Sequence, residues 1–302
     1  MIKSVPRRAF LTGSIAGALS ALTMTPGLAL AAGEVKRRSG TRIKIGLNAY
    51  SFNRPLMSGA MTLDDVIDYC ASQNIDALDA TGYYFPGYPA VPSDEYIYNL
   101  KRKAYVNGVT ISGSGVRNDF TLTDVSSRKG HIALVKEWID VSEKLGASFV
   151  RVFSGPSIPK DSTYEKVLQW MIPAFQECAE YGKKRGVIVA LQHHNDFLKT
   201  ADQTIQVVKA VNSEWFSIVL DVGSLAKGDP YEEIEKLLPY ACTWQIKELV
   251  WVNGKEVPID LAKIRAIIDK VGYRGFLPFE ALGPGDPKTV TAFLDKVRKA
   301  MA

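Results

Sequence analysis

Four short apolar runs in the second half of the chain end in a polar side chain. They are Gln192 in Leu191-Gln192-His193-His194-Asn195, Asp221 in Leu220-Asp221-Val222-Gly223-Ser224, Gln245 in Trp244-Gln245-Ile246-Lys247-Glu248, and Glu280 in Phe279-Glu280-Ala281-Leu282. The two carboxylates can remove a proton, whereas the two amides can only bind. If Asp221 and Glu280 lie close together, they require a cation or a shared proton. Lys247, two residues after Gln245 and so on the same strand face, can supply that cation. The glutamines would then hydrogen-bond across a satisfied polar layer. His193 and His194 are adjacent and must point to opposite faces of a strand, so one of them at most reaches a common site. Two of the chain's three histidines fall at this one strand end, which favours a function there; His131 sits within a helical segment and reads as structural.

The elements that must carry these groups are legible from Ile43 onward, where short apolar runs alternate with longer stretches of helical period. Eight strands are predicted: Ile43 to Tyr50, Ala77 to Ala80, Thr110 to Gly115, Phe149 to Phe153, Val187 to Gln192, Ser217 to Asp221, Thr243 to Lys247 and Phe276 to Glu280. Thr62 and Ser93 are candidate helix caps, and Gly108, Gly146, Gly186 and Gly272 each stop a helix just before a strand. The pattern predicts an α/β fold, a single (β/α)8 TIM barrel over residues 43–302. An open doubly wound sheet is the rival, but no glycine-rich phosphate fingerprint follows the first strand. A barrel of this kind places its site at the C-terminal ends of its strands, where the four polar positions fall. Earlier strand ends add Asn48, Tyr50, Asp79, Ser112, Ser114 and Arg151, and the following loops add Phe52, Tyr83, Tyr84 and Phe85. Amides, carboxylates and Arg suit sugar hydroxyls, and aromatic rings suit a sugar's apolar face.

The chain resembles the sugar phosphate isomerase/epimerase family, xylose isomerase-like barrels that include an endonuclease branch. In that family strand five ends in a Glu followed two residues on by His, strand six in Asp-x-Gly-His, strand seven in His-x-Lys-Asp and strand eight in Glu; the Glu, Asp, His and Glu hold a divalent metal. Asp221 and Glu280 match as ligands and His194 and Lys247 as neighbours, whereas Gln192, Gln245 and Ser224 depart from the pattern. The resemblance therefore implies a metal site of Gln192, Asp221, Gln245 and Glu280. Amide oxygens suit Mn2+, Mg2+ or Ca2+ better than zinc, which favours nitrogen and sulfur. The multi-zinc endonuclease chemistry needs more histidines than this chain has.

Residues 1–31 read as a twin-arginine signal peptide. Pro6-Arg7-Arg8-Ala9-Phe10-Leu11 precedes an apolar run from Ile15 to Leu30 that ends in Ala29-Leu30-Ala31. Gly13, Gly17, Pro26 and Gly27 break that run, and it is too short for a stable membrane span. Residues 32–42 are polar and basic and read as a tether. Removing Lys3, Arg7 and Arg8 with the signal lowers the formal net charge from +5 to +2, which does not favour a nucleic-acid partner. Cys70, Cys178 and Cys242 are far apart, giving neither a disulfide framework nor a zinc-thiolate site.

Together these features predict a periplasmic or otherwise exported isomerase or epimerase acting on a small-molecule carbohydrate, a keto-sugar or sugar acid. Glu280 would abstract a proton α to a carbonyl, with His194 or Lys247 as the acid and a divalent cation assisting. Asn48, Tyr50, Tyr83, Arg151 and Ser224 are expected to bind the substrate. A lyase that β-eliminates a keto-glycoside and a non-catalytic carbohydrate-binding barrel are the alternatives.

Overall fold

The structure, a computed structural model, describes residues 33–194 and 196–302. The expected signal over residues 1–31 lies outside the described residues, as does Asn195. Ten strands are present among the described residues: β1 (Arg42–Asn48), β2 (Ala77–Thr81), β3 (Thr110–Gly115), β4 (Phe149–Phe153), β5 (Ile188–Gln192), β6 (Phe216–Asp221), β7 (Ala241–Lys247), β8 (Leu249–Val252), β9 (Lys255–Pro258) and β10 (Arg274–Glu280). Eight of them close a barrel in the order β1-β10-β7-β6-β5-β4-β3-β2, and every pairing within it is parallel. Helices alternate with these strands around the outside, so the predicted (β/α)8 TIM barrel is the fold.

Local chemistry sets the joints. Thr62 forms a capping box with Asp65 at the start of the helix Leu63–Ser72, and Ser93 accepts from the amide of Tyr96 at the start of Asp94–Val106. Gly146 and Gly272 end their helices at φ of 77° and 73°, a left-handed conformation that costs a residue without Cβ little. The main apolar core lies between sheet and helices. A separate cluster of Phe149, Ala190 and Val219 lies on the strand face of Arg151, Gln192 and Asp221, two residues further along each strand, and so fills the barrel beneath them.

Two segments differ from expectation. The strands β8 and β9, which the apolar pattern did not suggest, form an antiparallel hairpin inserted after β7 and joined by Asn253-Gly254, both at positive φ. Residues 33–41, within the segment 32–42 expected to be a polar tether, lie against the base of the barrel. Val35 donates its amide to Pro239 (2.9 Å), and Arg37 donates to the carbonyls of Arg274 and Ala241, the first residues of β10 and β7. The Arg37 guanidinium also lies 4.7 Å from the centroid of the Tyr273 ring. The cysteines are free, and no described helix is long and apolar enough to cross a membrane.

Candidate active site at the barrel mouth

Period-two alternation turns the last inward residue of each strand toward the barrel axis, and pairing fixes their heights: Asp221 lies beside Gln245, and Lys247 beside Glu280. At the centre is a buried charge cluster. The Lys247 ammonium is 2.8 Å from Asp221 Oδ2 and 3.7 Å from Glu280 Oε1. Asp221 Oδ2 also accepts from Gln192 Nε2 (2.7 Å) and Ser224 Oγ (2.8 Å), while its Oδ1 accepts from the amide of Gly223 (3.1 Å). Gln245 Nε2 donates to Glu280 Oε2. Gly223 makes this arrangement possible, since a Cβ there would stand 2.6 Å from Cδ of Lys247.

The environment separates the two carboxylates. Burial would raise Asp221, but the Lys247 ammonium, which also donates to it, leads the opposing effects and the group is held below its ordinary pKa. Burial pushes Glu280 up to about 7, with Lys247 opposing and Asp221 reinforcing. Lys247 itself is raised: the cost of burial is overcome by Asp221 and Glu280, so it keeps its proton.

The two histidines divide as the alternation requires. His193 is fully buried, accepts from the amide of Asp221 (3.3 Å), and is pushed by burial down to about 4, so it stays neutral. His194 faces the pocket with its ring 5.5 Å from that of Phe153, and desolvation lowers its pKa. Desolvation thus favours the neutral form of His194, while its two carboxylates favour the protonated form of Lys247.

Above the cluster opens a cavity of about 470 Å3, within the range of small-molecule sites. Asn48, Tyr50, Tyr83, Arg151, Gln192, His194, Gln245, Lys247 and Glu280 line it. Asp221 is fully buried below. Ser224, expected at the substrate, is also buried, and the short turn Val222–Ser224 folds it back so that its hydroxyl is spent on Asp221. Asn48 accepts from the amide of Tyr50 (2.8 Å) and donates to Asp79 (3.0 Å), a carboxyl that burial pushes up to about 7. Arg151 donates to the Val116 carbonyl (2.9 Å) and the Tyr83 hydroxyl (2.8 Å) and lies 4.1 Å from the centroid of the Phe153 ring. The guanidinium of Arg117 covers the Tyr83 ring at 4.5 Å. Tyr83 therefore serves more to hold two arginines than to offer a free stacking face.

Arg117 also lines the cavity, as do Asn118, Phe153 and Asp196, which the strand-end pattern did not single out as site residues. Asp196 was the most legible of them, since it follows Gln192-His193-His194-Asn195 directly.

The residues expected to hold a divalent cation do not form an open cage. Asp221 accepts from four donors, which matches the roughly four lone-pair sites of a carboxylate. The amides of Gln192 and Gln245 turn N–H groups toward the carboxylates, and an ammonium lies between those carboxylates. No group of three or more His, Cys, Asp or Glu suited to a metal occurs among the described residues.

A family model described as a xylose isomerase-like TIM barrel matches residues 67–297. No curated protein sequence matches the chain. Among solved structures, D-psicose 3-epimerase with D-tagatose from Clostridium cellulolyticum H10 is similar at a TM-score of 0.70 and 19% identity, over 85% of this chain and 99% of that one. The IOLI protein with a binding zinc atom is similar at 0.69 and 16%, over 85% and 99%. The probable 3-DHS dehydratase AsbF from Bacillus anthracis is similar at 0.66 and 15%, over 84% and 98%. At these identities the likeness is one of fold.

Proposed function

Because the chain belongs to the xylose isomerase-like TIM-barrel family, we propose that it is an exported sugar isomerase or epimerase acting on a keto-sugar or sugar acid. The carrying observation is Glu280, a pocket-lining carboxyl raised to about 7 and lying 3.7 Å from a buried ammonium. A base whose pKa is near the working pH is well matched to removing a proton α to a carbonyl. Glu280 takes that proton and returns it to the neighbouring carbon of the resulting enediolate, while the proton of the adjacent hydroxyl passes to the former carbonyl oxygen, so that the carbonyl moves by one carbon with no net gain or loss of protons. Lys247 holds the negative charge that develops on oxygen and keeps its own proton.

Several features support the ligand class. Arg117, Arg151, Asn48 and Asn118 give the walls donors for hydroxyl or carboxylate oxygens, while Phe153 and Tyr50 give apolar surface. The twin-arginine pattern over residues 1–31 supports export. A single base serves isomerisation or β-elimination more directly than two-base epimerisation, so a lyase is the second reading; the raised pKa of Asp196, another pocket carboxyl, keeps epimerisation chemically accessible.

The test is turnover of ketoses, beginning with D-tagatose and D-fructose, by the wild type and by Glu280→Gln. The substitution keeps the side chain's shape and removes the base, so kcat/KM should fall by about 100 to 10,000-fold. Retained turnover in Glu280→Gln would overturn the role of Glu280. Tight binding with no conversion of any ketose or sugar acid would favour the non-catalytic carbohydrate-binding barrel.

A further inference from the structure

We propose that this site takes no divalent metal: the Lys247 ammonium is its resident cation and acts as the electrophile at the substrate oxygen. The inference rests on the proposed proton-abstraction chemistry for its catalytic meaning, but the composition of the site carries it separately. Asp221 sits at the bottom of the cluster with both oxygens committed, accepting from Gln192, Ser224 and Lys247 at Oδ2 and from the Gly223 amide at Oδ1. A metal ion at Asp221 would have to displace one of those donors. It would also meet the ammonium between the same two carboxylates, where like charges repel strongly in a desolvated site.

The backbone is built around the lysine. Gly223, in the turn after β6, leaves the space its stem fills, and the carbonyl of Leu249 closes the other side, 3.3 Å from where a Cβ on Gly223 would lie. The Lys247 side chain is only 10% exposed, yet it lines the pocket. An ammonium has three N–H groups; with one on Asp221 and one directed toward Glu280, the third remains for a substrate oxygen. The glutamines fit the same scheme. Gln192 and Gln245 are neutral, so two carboxylates face one fixed organic cation and donor amides. A point-like ammonium needs one substrate oxygen, whereas a chelated metal would require two adjacent ones. The pocket should therefore accept a ketone that lacks a neighbouring hydroxyl.

The test uses mature wild-type protein alongside Lys247→Met and Lys247→Arg, and reads metal content by elemental mass spectrometry and melting temperature with EDTA or excess MnCl2. Wild type should carry substoichiometric Mn, Mg, Ca and Zn and melt within about 1 °C under both conditions. The Lys247→Met chain, with its carboxylates left unneutralised, should melt lower in EDTA and recover by about 5 °C in excess Mn2+. Lys247→Arg should remain indifferent to metal. Stoichiometric metal in the wild type, or a fall in its melting temperature on adding EDTA, overturns the inference; so does a Lys247→Met chain that is as stable as wild type and unresponsive to Mn2+. The wild-type measurements decide the question even if Lys247→Met fails to fold. None of these readouts requires turnover, so a failure to convert any ketose would count against the proposed reaction and leave this result standing.

Discussion

Glu280 and Asp221 have similar chemistry but opposite environments. Lys247 makes a 2.8 Å contact with Asp221 and a 3.7 Å contact with Glu280, and only Asp221 collects three further hydrogen bonds. Asp221 is therefore held ionised as an anchor, and Glu280 is left poised near neutrality. If Glu280 must be ionised to act, kcat/KM should rise with pH and level off above about 7, and that limb should disappear in Glu280→Gln. Stability should move the other way. A carboxyl whose folded pKa is raised binds its proton more tightly when folded, so its contribution is fully present below the unfolded value and is lost as pH rises through about 7. Asp79 adds in the same sense, whereas His193, lowered to about 4, contributes stability above its ordinary pKa that is lost as pH falls through about 4. Urea titrations of wild type and Glu280→Gln between pH 5 and 8 would check the sign; a stability that rises through this window because of Glu280 would contradict it. At this scale many of the pocket-lining residues were legible in the sequence, and so was Lys247 as a counter-ion for the two carboxylates, but the division of labour between Asp221 and Glu280 was not. Ser224 could not be told apart from a substrate ligand because its hydroxyl is redirected by a turn, and the ion pairing of Lys247 depends on distances that spacing leaves open.

Strand ends were legible because two periodicities coincide, apolar runs and glycine-terminated helices, and predicted β3 and β4 match the observed ranges. The hairpin β8–β9 was harder to see because its residues, Leu249–Val252 and Lys255–Pro258, give no long alternating run; Asn253-Gly254 was its available signal. It matters to the site. Glu248, between β7 and the hairpin, accepts from the amide of the pocket residue Leu282 (2.8 Å), and the Leu249 carbonyl packs toward Gly223. The turn after β6 and the start of β8 thus form a slot for Lys247. Gly223→Ala puts a methyl 2.6 Å from Cδ of Lys247 and 3.3 Å from that carbonyl, so the lysine stem that carries the ammonium must give way. We expect kcat/KM to fall by roughly tenfold to a hundredfold at a stability cost of less than about 3 kcal/mol. Steady-state kinetics with urea denaturation would check this, and an unchanged kcat/KM would show that the slot does not position the lysine.

Across the whole molecule, the barrel places chemistry at one end and closure at the other. The charge cluster occupies the C-terminal strand ends, while Arg37 ties the starts of β7 and β10 together at the base. The sequence made residues 32–42 look like a tether because they are basic and aperiodic. What escaped that reading is that an Arg can cap strand carbonyls and stack on an aromatic ring without any periodic pattern. Arg37→Ala should lower the melting temperature by about 5 °C and leave kcat/KM unchanged, since it lies at the end opposite the pocket. Calorimetry would check this, and an unaltered melting temperature would make the segment a tether after all.

Transfer of a carbon-bound proton by Glu280 can be followed by NMR as deuterium exchange from D2O into D-tagatose and D-fructose. Wild type should place deuterium at a carbon next to the carbonyl, and Glu280→Gln should lose exchange by about two decades or more. Exchange at an equal rate in both proteins would contradict it.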